Sequence, residues 1–396
     1  MKYMFFTFLL YLLTSKVGYA QQSINALFIG NSYTYVNNLP KMTANIAESR
    51  GNILTWKSNT PGACTFQKHC SNKSVELIAE GGWDIVVLQE QSRRPSFLQD
   101  YVDTMVYPYD TCLVEEIYAA NPCAEPMFYM TWGRRDGDSI NAQTNPVVAT
   151  YEGMDSLICE RYIHMAESND ASLSPVGRVW RYLRSNCPEI DLYRSDGSHP
   201  SVAGTYAAAC SFYVMFFNES PDSIAYIPAG VTGQQANSIH RAVKEVVYLQ
   251  LNQWKRLRPE IILTVGEPHD GEVQLSQRSI HADSIVWDFG DGTTIVSAPS
   301  DSTIIHKYAE SGSYEVTVEA IRHCMTDTAH ATVNITNNTA NAISMPAITL
   351  DGQSVDMSST DISIFTIDGR RVSYSHISSG IYLVRVGTQT ARIVKL

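Results

Sequence analysis

Short apolar runs alternate with longer amphipathic stretches between residues 23 and 254. Buried parallel strands read as short apolar runs and their crossover helices as amphipathic stretches, so this alternation predicts an α/β domain with one doubly wound sheet. Strands are predicted at 26–29, 53–57, 84–89, 127–131 and 173–176. Helices are predicted at 39–49, 109–120, 151–168, 202–217 and 234–254.

Residues that can carry chemistry stand at the ends of three predicted strands. Ser32 follows the first strand, Gln89 ends the third, and Trp132 follows the fourth. Open α/β sheets bind their ligands at the carboxyl ends of the strands. We therefore expect a functional site at that edge of the sheet.

The pattern changes after Trp254, where residues 255–259 read as a linker. The residues that follow alternate with turns, as in an antiparallel β domain. The segments 287–292 (WDFGDG) and 312–318 (GSYEVTV) resemble those of a PKD-type β-sandwich, which would span 260–336. Asp288 and Asp291 are interpreted as turn residues, because Asp-Gly pairs favour tight turns. Calcium binding by these two carboxylates is the open alternative.

Both ends of the chain carry targeting patterns. Residues 1–20 combine Lys2, an apolar core at 4–13 and a small-residue end, which predicts a secretory signal peptide. Residues 345–396 resemble a type IX secretion sorting domain in the order of their strand and turn segments. The resemblance implies a small all-β domain, export through the periplasm and outer membrane by the type IX machinery, and a secreted or cell-surface protein.

Composition narrows the class of partner. The chain has 396 residues and a formal net charge of -11 without a long basic run, which argues against nucleic acid or anionic lipid as a partner. No segment after the signal peptide reaches membrane-spanning length. The eight cysteines belong to a chain bound for an oxidising compartment, so we expect disulfides or buried thiols rather than a metal site. Their pairing stays open, and Cys324 stands alone in the predicted β domain.

A nucleophile and its helpers occur in one chain order. Ser32 lies on a Gly-Asn turn directly after a buried strand, and Asp196 and His199 lie three residues apart far downstream. A serine hydroxyl needs a base within hydrogen-bond reach and a group that orients that base. The residues Ser32, His199 and Asp196 are therefore the predicted nucleophile, base and orienting carboxylate.

Such a serine also needs donors for the oxyanion of the tetrahedral intermediate. The candidates are the backbone N–H of Ser32, the backbone N–H of Gly62 and the side-chain amide of Gln89. Trp132 is a candidate for substrate binding, since aromatic faces stack on sugar rings, with core packing as the alternative. For Arg134 and Arg135 we favour a solvated loop over contact with an anionic substrate.

These blocks resemble the SGNH hydrolases, also called the GDSL esterase and lipase family. The match covers Ser32 in Gly-Asn-Ser, Gly62 after strand two, an amide residue after strand three and Asp196 with His199. The resemblance implies a three-layer α/β/α, flavodoxin-like domain over 21–256, with no metal or organic cofactor. Asn31 stands where the family commonly has Asp, and Gln89 where many members have Asn, so Gln91 is the alternative third donor.

Together these features predict a secreted serine esterase. Its substrate would be a small-molecule or polysaccharide ester, with an acyl or acetyl group on a carbohydrate as the first choice. A lipid or aryl esterase of the same mechanism is the alternative within the enzymes. A non-catalytic cell-surface carbohydrate-binding protein is the alternative outside them.

Overall fold

The computed structural model describes residues 21–336 and, in the tail, 348–350, 353–355, 362–366, 369–372, 380–386 and 389–395. The chain divides into two compact units. The first extends to Glu260 and includes His281–Asp283 and Ile321–Asp327. The second comprises Ile261–Ile280, Ser284–Ala320 and the residues from Thr328 onward. The predicted signal peptide, 1–20, lies outside the described residues.

A five-stranded parallel sheet forms the centre of the first unit, in the order β2-β1-β3-β4-β5. This is the flavodoxin-like order, in which the direction of winding reverses between β1 and β3. It confirms the predicted fold class. All of β3 is buried, as expected where helices cover both faces of a parallel sheet. The strands are β1 (Ser23–Ile29), β2 (Ile53–Asn59), β3 (Ile85–Leu88), β4 (Glu125–Tyr129) and β5 (Ser172–Ser174).

Eleven α-helices are found in the described part of this unit, joined by short 3-10 turns. The helices α2, α8, α9 and α10 pack against one another, while α3, α4 and α5 pack on or beside α6. The helices are α1 (Ser32–Tyr35), α2 (Leu39–Ser49), α3 (Phe66–His69), α4 (Lys73–Ala79), α5 (Gln99–Met105), α6 (Tyr107–Ala120), α7 (Tyr151–Ser168), α8 (Val176–Asn186), α9 (Val202–Phe217), α10 (Gly233–Val246) and α11 (Leu251–Trp254).

Three helices have the predicted bounds, namely α2, α7 and α9. The predicted strand at 173–176 ends early, because Pro175 lies outside the sheet and Val176 already begins α8. Gly177 allows this helix to approach the residues that follow β4, since a Cβ there would lie 2.1 Å from the carbonyl oxygen of Thr131. The predicted helix at 234–254 is broken at Val247 into α10, a 3-10 turn and α11.

Residues 260–335 form two antiparallel sheets, in the orders β10-β7-β6 and β12-β11-β8-β9. Asp288 Oδ1 accepts a hydrogen bond from Gly290 N, and Asp291 Oδ1 accepts one from Thr293 N, as in Asp-stabilised turns. Asp291 Oδ2 also lies 2.7 Å from His306 Nε2. The strands are β6 (Glu260–Val265), β7 (Glu272–Ile280), β8 (Ser284–Asp288), β9 (Thr294–Ser297), β10 (Thr303–Lys307), β11 (Gly312–Arg322) and β12 (Met325–Ile335).

The described residues of the tail are strands. They are β13 (Ile348–Leu350), β14 (Gln353–Val355), β15 (Ile362–Thr366), β16 (Arg371–Val372), β17 (Gly380–Val386) and β18 (Gln389–Lys395). Two antiparallel sheets result, one of β13 and β14 and one in the order β16-β15-β17-β18. The type IX sorting function and the export route stay predictions of the sequence. Among the described residues, no helix is both long and apolar enough to cross a membrane.

A disulfide joins Cys123 to Cys324, 201 positions apart. Cys324 is the one cysteine of the β domain, as expected, and it lies between β11 and β12 in the segment Ile321–Asp327, which clusters with the first unit. There Arg322 Nε also donates to Asp170 Oδ2 at 2.7 Å, and the His323 ring stacks on Tyr118. The bond closes a very long loop, which restricts the unfolded chain strongly.

For protein that is expressed in an oxidising compartment, we expect thiol titration of the unfolded, unreduced chain to detect six thiols, the number that are free in the structure. Reduction first should give all eight. Cys324→Ser should give seven without reduction, one fewer than the eight cysteines, because it frees Cys123. Eight thiols in the unreduced wild-type protein would contradict the pairing.

Candidate active site

The turn Gly30-Asn31-Ser32 connects β1 directly to α1. Asn31 caps the helix, because its Oδ1 accepts a hydrogen bond from Tyr33 N at 3.2 Å. Gly30 is required by close packing, since a Cβ there would lie 2.6 Å from Thr34 Oγ1 and 2.7 Å from Gln89 Oε1. Ser32 therefore stands at the carboxyl end of β1, where the winding of the sheet reverses.

The loop that carries Asp196 and His199 is closed by its own hydrogen bonds. Asp196 Oδ1 accepts from the backbone N–H groups of Ser198 and His199, each at 2.9 Å. Arg194 N donates to His199 O at 2.8 Å. Gly197 adopts a left-handed backbone with φ of 64°, which glycine tolerates without strain. The tight loop fixes the carboxylate and the imidazole relative to each other.

The structure brings the predicted nucleophile, base and carboxylate together. His199 Nδ1 lies 2.6 Å from Asp196 Oδ2, and His199 Nε2 lies 2.9 Å from Ser32 Oγ. A carboxylate can only accept, so Nδ1 carries the proton and Nε2 is left to accept the Ser32 hydroxyl proton. The side chains of His199 and Asp196 are 35% and 47% exposed, which leaves the group open to a substrate.

Asp196 stays ionised through its hydrogen bonds. Partial burial by itself would raise the pKa of this carboxyl. The hydrogen bonds from the His199 side chain and from two backbone N–H groups outweigh that effect and lower the pKa to about 2. Asp196 can therefore orient the imidazole as an anion throughout the neutral and mildly acidic range.

A stack of three aromatic rings supports this loop from the protein interior. Trp132 lies between Trp180, at 3.6 Å between ring centroids, and Tyr33, at 4.6 Å. Trp132 Nε1 donates to Ser198 O at 3.1 Å, and the Tyr33 hydroxyl lies 2.8 Å from Ser198 Oγ. The prediction that Trp132 binds substrate was wrong, because its side chain is 0% exposed. Its place is beneath the site, where it holds Ser198.

Two predicted oxyanion donors lie at the same edge of the sheet. Ser32 N begins α1, and a helix leaves its first N–H groups free of intrahelical partners. Gly62 is exposed in a turn after β2, closed by the hydrogen bond from Cys64 N to Pro61 O at 3.1 Å. Asn31 Nδ2 ties this turn to the nucleophile by donating to Cys64 O at 3.1 Å.

Gln89 does not fit its predicted role. Its side chain is fully buried, and Oε1 accepts from Asn31 N at 2.9 Å and from Thr34 Oγ1 at 3.1 Å. Its Nε2 donates to Glu90 O. Both ends of the amide are thus committed inside the protein. Gln89 positions the nucleophile turn, and its fully buried amide is out of reach of a substrate oxyanion.

Gln91, the alternative donor, has a different environment. Its Oε1 accepts from Arg93 N at 2.9 Å and from Arg94 N at 3.3 Å, which fixes the orientation of the amide. Its side chain is half-buried. In the described part of the chain, no hydrogen bond is recorded from its Nε2. Gln91 therefore has a positioned amide group with donors to spare.

Sequence reasoning missed two buried titratable residues behind the site. Glu90 follows β3, and its Oε2 accepts from Phe66 N at 3.0 Å while Oε1 accepts from Gln91 N. Burial raises the pKa of Glu90 to about 7. His69 Nε2 lies 2.9 Å from Gly30 O, and burial lowers its pKa to about 4, so it is neutral. An acid at the end of an apolar strand was the available signal for Glu90.

Metal ligands are not gathered at this site. Across the described residues, no group of three or more His, Cys, Asp or Glu side chains is placed to hold a metal ion. The chemistry that the arrangement offers is nucleophilic attack by a serine that is activated by an imidazole.

The buried carboxyl of Glu90 should give stability a pH dependence. Its folded pKa, about 7, lies above the ordinary value of 4.5, so the folded state binds the proton more tightly. The stabilisation is complete below pH 4.5 and is lost as the pH rises through 7. We expect Glu90 to lower the free energy of unfolding over that range by about 3 kcal/mol, at 1.36 kcal/mol per pKa unit.

Urea unfolding of Glu90→Gln between pH 4.5 and 7.5 tests this, with the slope of stability against pH as the readout. The slope should become shallower, while Asp110, another buried acid with its pKa raised to about 7, keeps its own contribution. The matched control is Glu76→Gln, which removes an exposed carboxylate and should keep the wild-type slope. An unchanged slope in Glu90→Gln would contradict the assignment.

The two antiparallel sheets of residues 260–335 belong to a domain family that comparison with known proteins identifies. Residues 266–335 match the family model of the PKD domain, which confirms the resemblance seen in the sequence. No protein of curated function matches the chain.

Three solved structures resemble the first unit. A DUF4886 family protein from Bacteroides uniformis ATCC 8492 is 18% identical with a TM-score of 0.50, over 59% of this chain and 98% of that one. A candidate SGNH hydrolase from Slackia heliotrinireducens is 25% identical with a TM-score of 0.40, over 48% and 97%. A candidate GDSL-like lipase from Parabacteroides merdae ATCC 43184 is 14% identical with a TM-score of 0.38, over 48% and 94%. The first of these shares the α/β fold, and the likeness shows the fold alone.

Proposed function

We propose that the first unit is a serine hydrolase that cleaves an oxygen ester. One observation carries this proposal: the hydrogen-bonded series from Asp196 Oδ2 through His199 to Ser32 Oγ, with distances of 2.6 and 2.9 Å. This is the arrangement that activates a serine in enzymes of unrelated folds, where geometry and role identify it. A protein that only binds its ligand has no use for such a series.

In the proposed reaction, Ser32 Oγ forms a bond to the acyl carbon and its proton passes to His199 Nε2. The tetrahedral intermediate collapses as the ester C–O bond breaks, and the imidazolium returns the proton to the leaving alcohol oxygen. Water then gives a proton to His199 and attacks the acyl carbon, and Ser32 Oγ recovers the proton as the acid departs. Asp196 remains a carboxylate throughout and stabilises the imidazolium.

The oxyanion of the intermediate would be met by the backbone N–H groups of Ser32 and Gly62 and by Gln91 Nε2. Gln91 replaces Gln89 in this proposal, because the amide of Gln89 is committed inside the protein. The hydrogen bond from Asn31 Nδ2 to Glu90 O, at 3.3 Å, holds the residue before Gln91 against the nucleophile turn. Donors fixed before the substrate arrives stabilise the developing charge without reorganisation.

The proposed substrate class is an acyl or acetyl ester on a carbohydrate. The proposal of a carbohydrate is supported by association only, through the predicted export of the chain and the PKD domain at 266–335. Lipid and aryl esters follow the same mechanism, so a panel of acetylated sugars and of short and long acyl esters separates the two classes.

Ser32→Ala should lower the kcat for a short-chain chromogenic ester on the order of 10⁴-fold or more, since the attacking group is lost. A fluorophosphonate should label the wild-type protein once and leave Ser32→Ala unlabelled. The matched control is Ser198→Ala, which keeps Ser32 and should still be labelled. Equal turnover by wild type and Ser32→Ala would sink the proposal.

Two variants test whether Gln91, and not Gln89, is the third oxyanion donor. Gln91→Ala should lower kcat by about 10²-fold with a small effect on unfolding, because it removes a donor to the transition state. Gln89→Ala should lower the melting temperature, because buried partners lose their hydrogen bonds. If Gln91→Ala retains full kcat, Gln91 is not the donor.

A further inference from the structure

Four arginines lie in the loops near the site, and three of them have an ion pair or a side-chain hydrogen bond within the protein. Arg93 Nη1 lies 3.8 Å from Asp138 Oδ1. Arg194 Nη2 donates to Asn37 Oδ1 at 2.9 Å. Arg135 Nη2 donates to Arg194 O at 2.9 Å and lies 3.5 Å from an oxygen of Asp191. These three guanidinium groups hold the loops of the site in place.

Arg134 is the fourth, and its side chain differs from the others. Its Nε is buried without a hydrogen-bond partner, as is that of Arg93. Arg93 has an ion pair with Asp138, but no ion pair is recorded between the Arg134 guanidinium and any carboxylate in residues 21–336 or the described tail strands. A buried donor without an acceptor costs free energy that a bound acceptor would recover.

The position of Arg134 is set by its neighbours on either side. Trp132 Nε1 donates to Ser198 O, and Arg135 N donates to Gly197 O at 2.9 Å. The backbone of Arg134 therefore runs alongside the loop from Asp196 to His199. It is fixed there also by the hydrogen bond from Arg134 N to Met154 Sδ.

The positive charge of Arg134 affects Tyr33, the residue that follows the nucleophile. Burial raises the pKa of the Tyr33 phenol, and the positive charge of Arg134 acts against that rise. The Tyr33 hydroxyl contacts Ser198 Oγ, and Tyr33 follows Ser32 directly in the chain. The positive charge of Arg134 thus acts on Tyr33, which is the neighbour of the nucleophile in the chain and contacts the residue before His199.

We infer that Arg134 binds an anionic group of the substrate, so that the preferred ester is one whose alcohol part carries a carboxylate. This inference rests on the proposed esterase function and specifies its substrate class, an acyl ester of an acidic compound such as an acidic sugar. A guanidinium presents its donors in a planar fork that matches the two oxygens of a carboxylate. The sequence favours a solvated loop for both Arg134 and Arg135. Arg135 has partners within the protein, and this inference gives Arg134 the contact with an anionic substrate.

The test compares 4-acetoxybenzoate with 4-acetoxybenzamide, which differ by one negative charge on the alcohol part. The readout is the ratio of kcat/KM for the charged over the uncharged ester, measured by acetate release from the full chain. Arg134→Gln should lower this ratio by roughly tenfold or more, because a charge-assisted hydrogen bond is lost. Arg134→Lys should restore part of the ratio, since the charge is retained without the fork.

Arg135→Gln is the matched control, because it removes the same charge one residue away from a side chain that already has internal partners. It should keep the wild-type ratio even if it lowers the melting temperature. An equal fall in both variants would mean a general effect of net charge and would overturn the inference. An unchanged ratio in Arg134→Gln would overturn it as well.

A binding measurement separates this inference from the proposed function. Calorimetry with 4-acetoxybenzoate compares Ser32→Ala alone with Ser32→Ala combined with Arg134→Gln. Weaker binding by roughly tenfold in the double variant is the expected result. If the wild-type protein hydrolyses neither ester, the esterase proposal fails, and the calorimetry still decides whether Arg134 binds a carboxylate. Equal affinity in the two variants would refute the role of Arg134.

Discussion

The hydrogen bond between Ser32 Oγ and His199 Nε2 is the contact on which the site depends, and it joins residues 167 positions apart. Nothing local to either residue can create it. The aromatic stack of Tyr33, Trp132 and Trp180 provides the common support, because two of its rings hold Ser198 by polar atoms. Flat rings packed in a buried layer resist displacement, since any shift would open a void in a close-packed interior. The distance between nucleophile and base is thus set by the core.

The opposite side of the site is held by polar atoms instead of rings. Asn31 Nδ2 donates to Cys64 O and to Glu90 O, while the Glu90 carboxyl accepts from Phe66 N and Gln91 N. An amide supplies donors that a carboxylate lacks, which gives a physical reason for Asn31 where the SGNH hydrolases that this sequence resembles commonly have Asp. The turn with Gly62 and the loop with Gln91 are thereby joined to the nucleophile turn. The proposed oxyanion donors are thus held by hydrogen bonds to the turn that carries Ser32.

Local patterns in the sequence were sufficient for most of the fold. The helices at 39–49, 151–168 and 202–217 have the bounds that their patterns predicted, and side chains of Asn38, Thr150 and Ser201 cap their first turns. The errors in element bounds arose where one local pattern continued across a boundary, at a proline in one case and at a break between two helices in another. At 173–176 a short apolar run was extended past Pro175 into α8. Short apolar runs fit a strand and the start of a buried helix equally well.

The sequence by itself determined the α/β class and the candidate group of Ser32, Asp196 and His199. Periodicity, residue type and chain order can all be read along the chain without knowledge of its contacts. Only the tertiary structure decided which side chains reach the site. Trp132 and Gln89 stand at strand ends, yet rings and backbone groups distant in sequence enclose both. Cys123 forms a disulfide with a cysteine 201 positions away. Arg134 Nε has no hydrogen-bond partner, while Arg135 has an ion pair with Asp191. Burial and pairing depend on what the fold brings alongside each residue, and no local pattern encodes that.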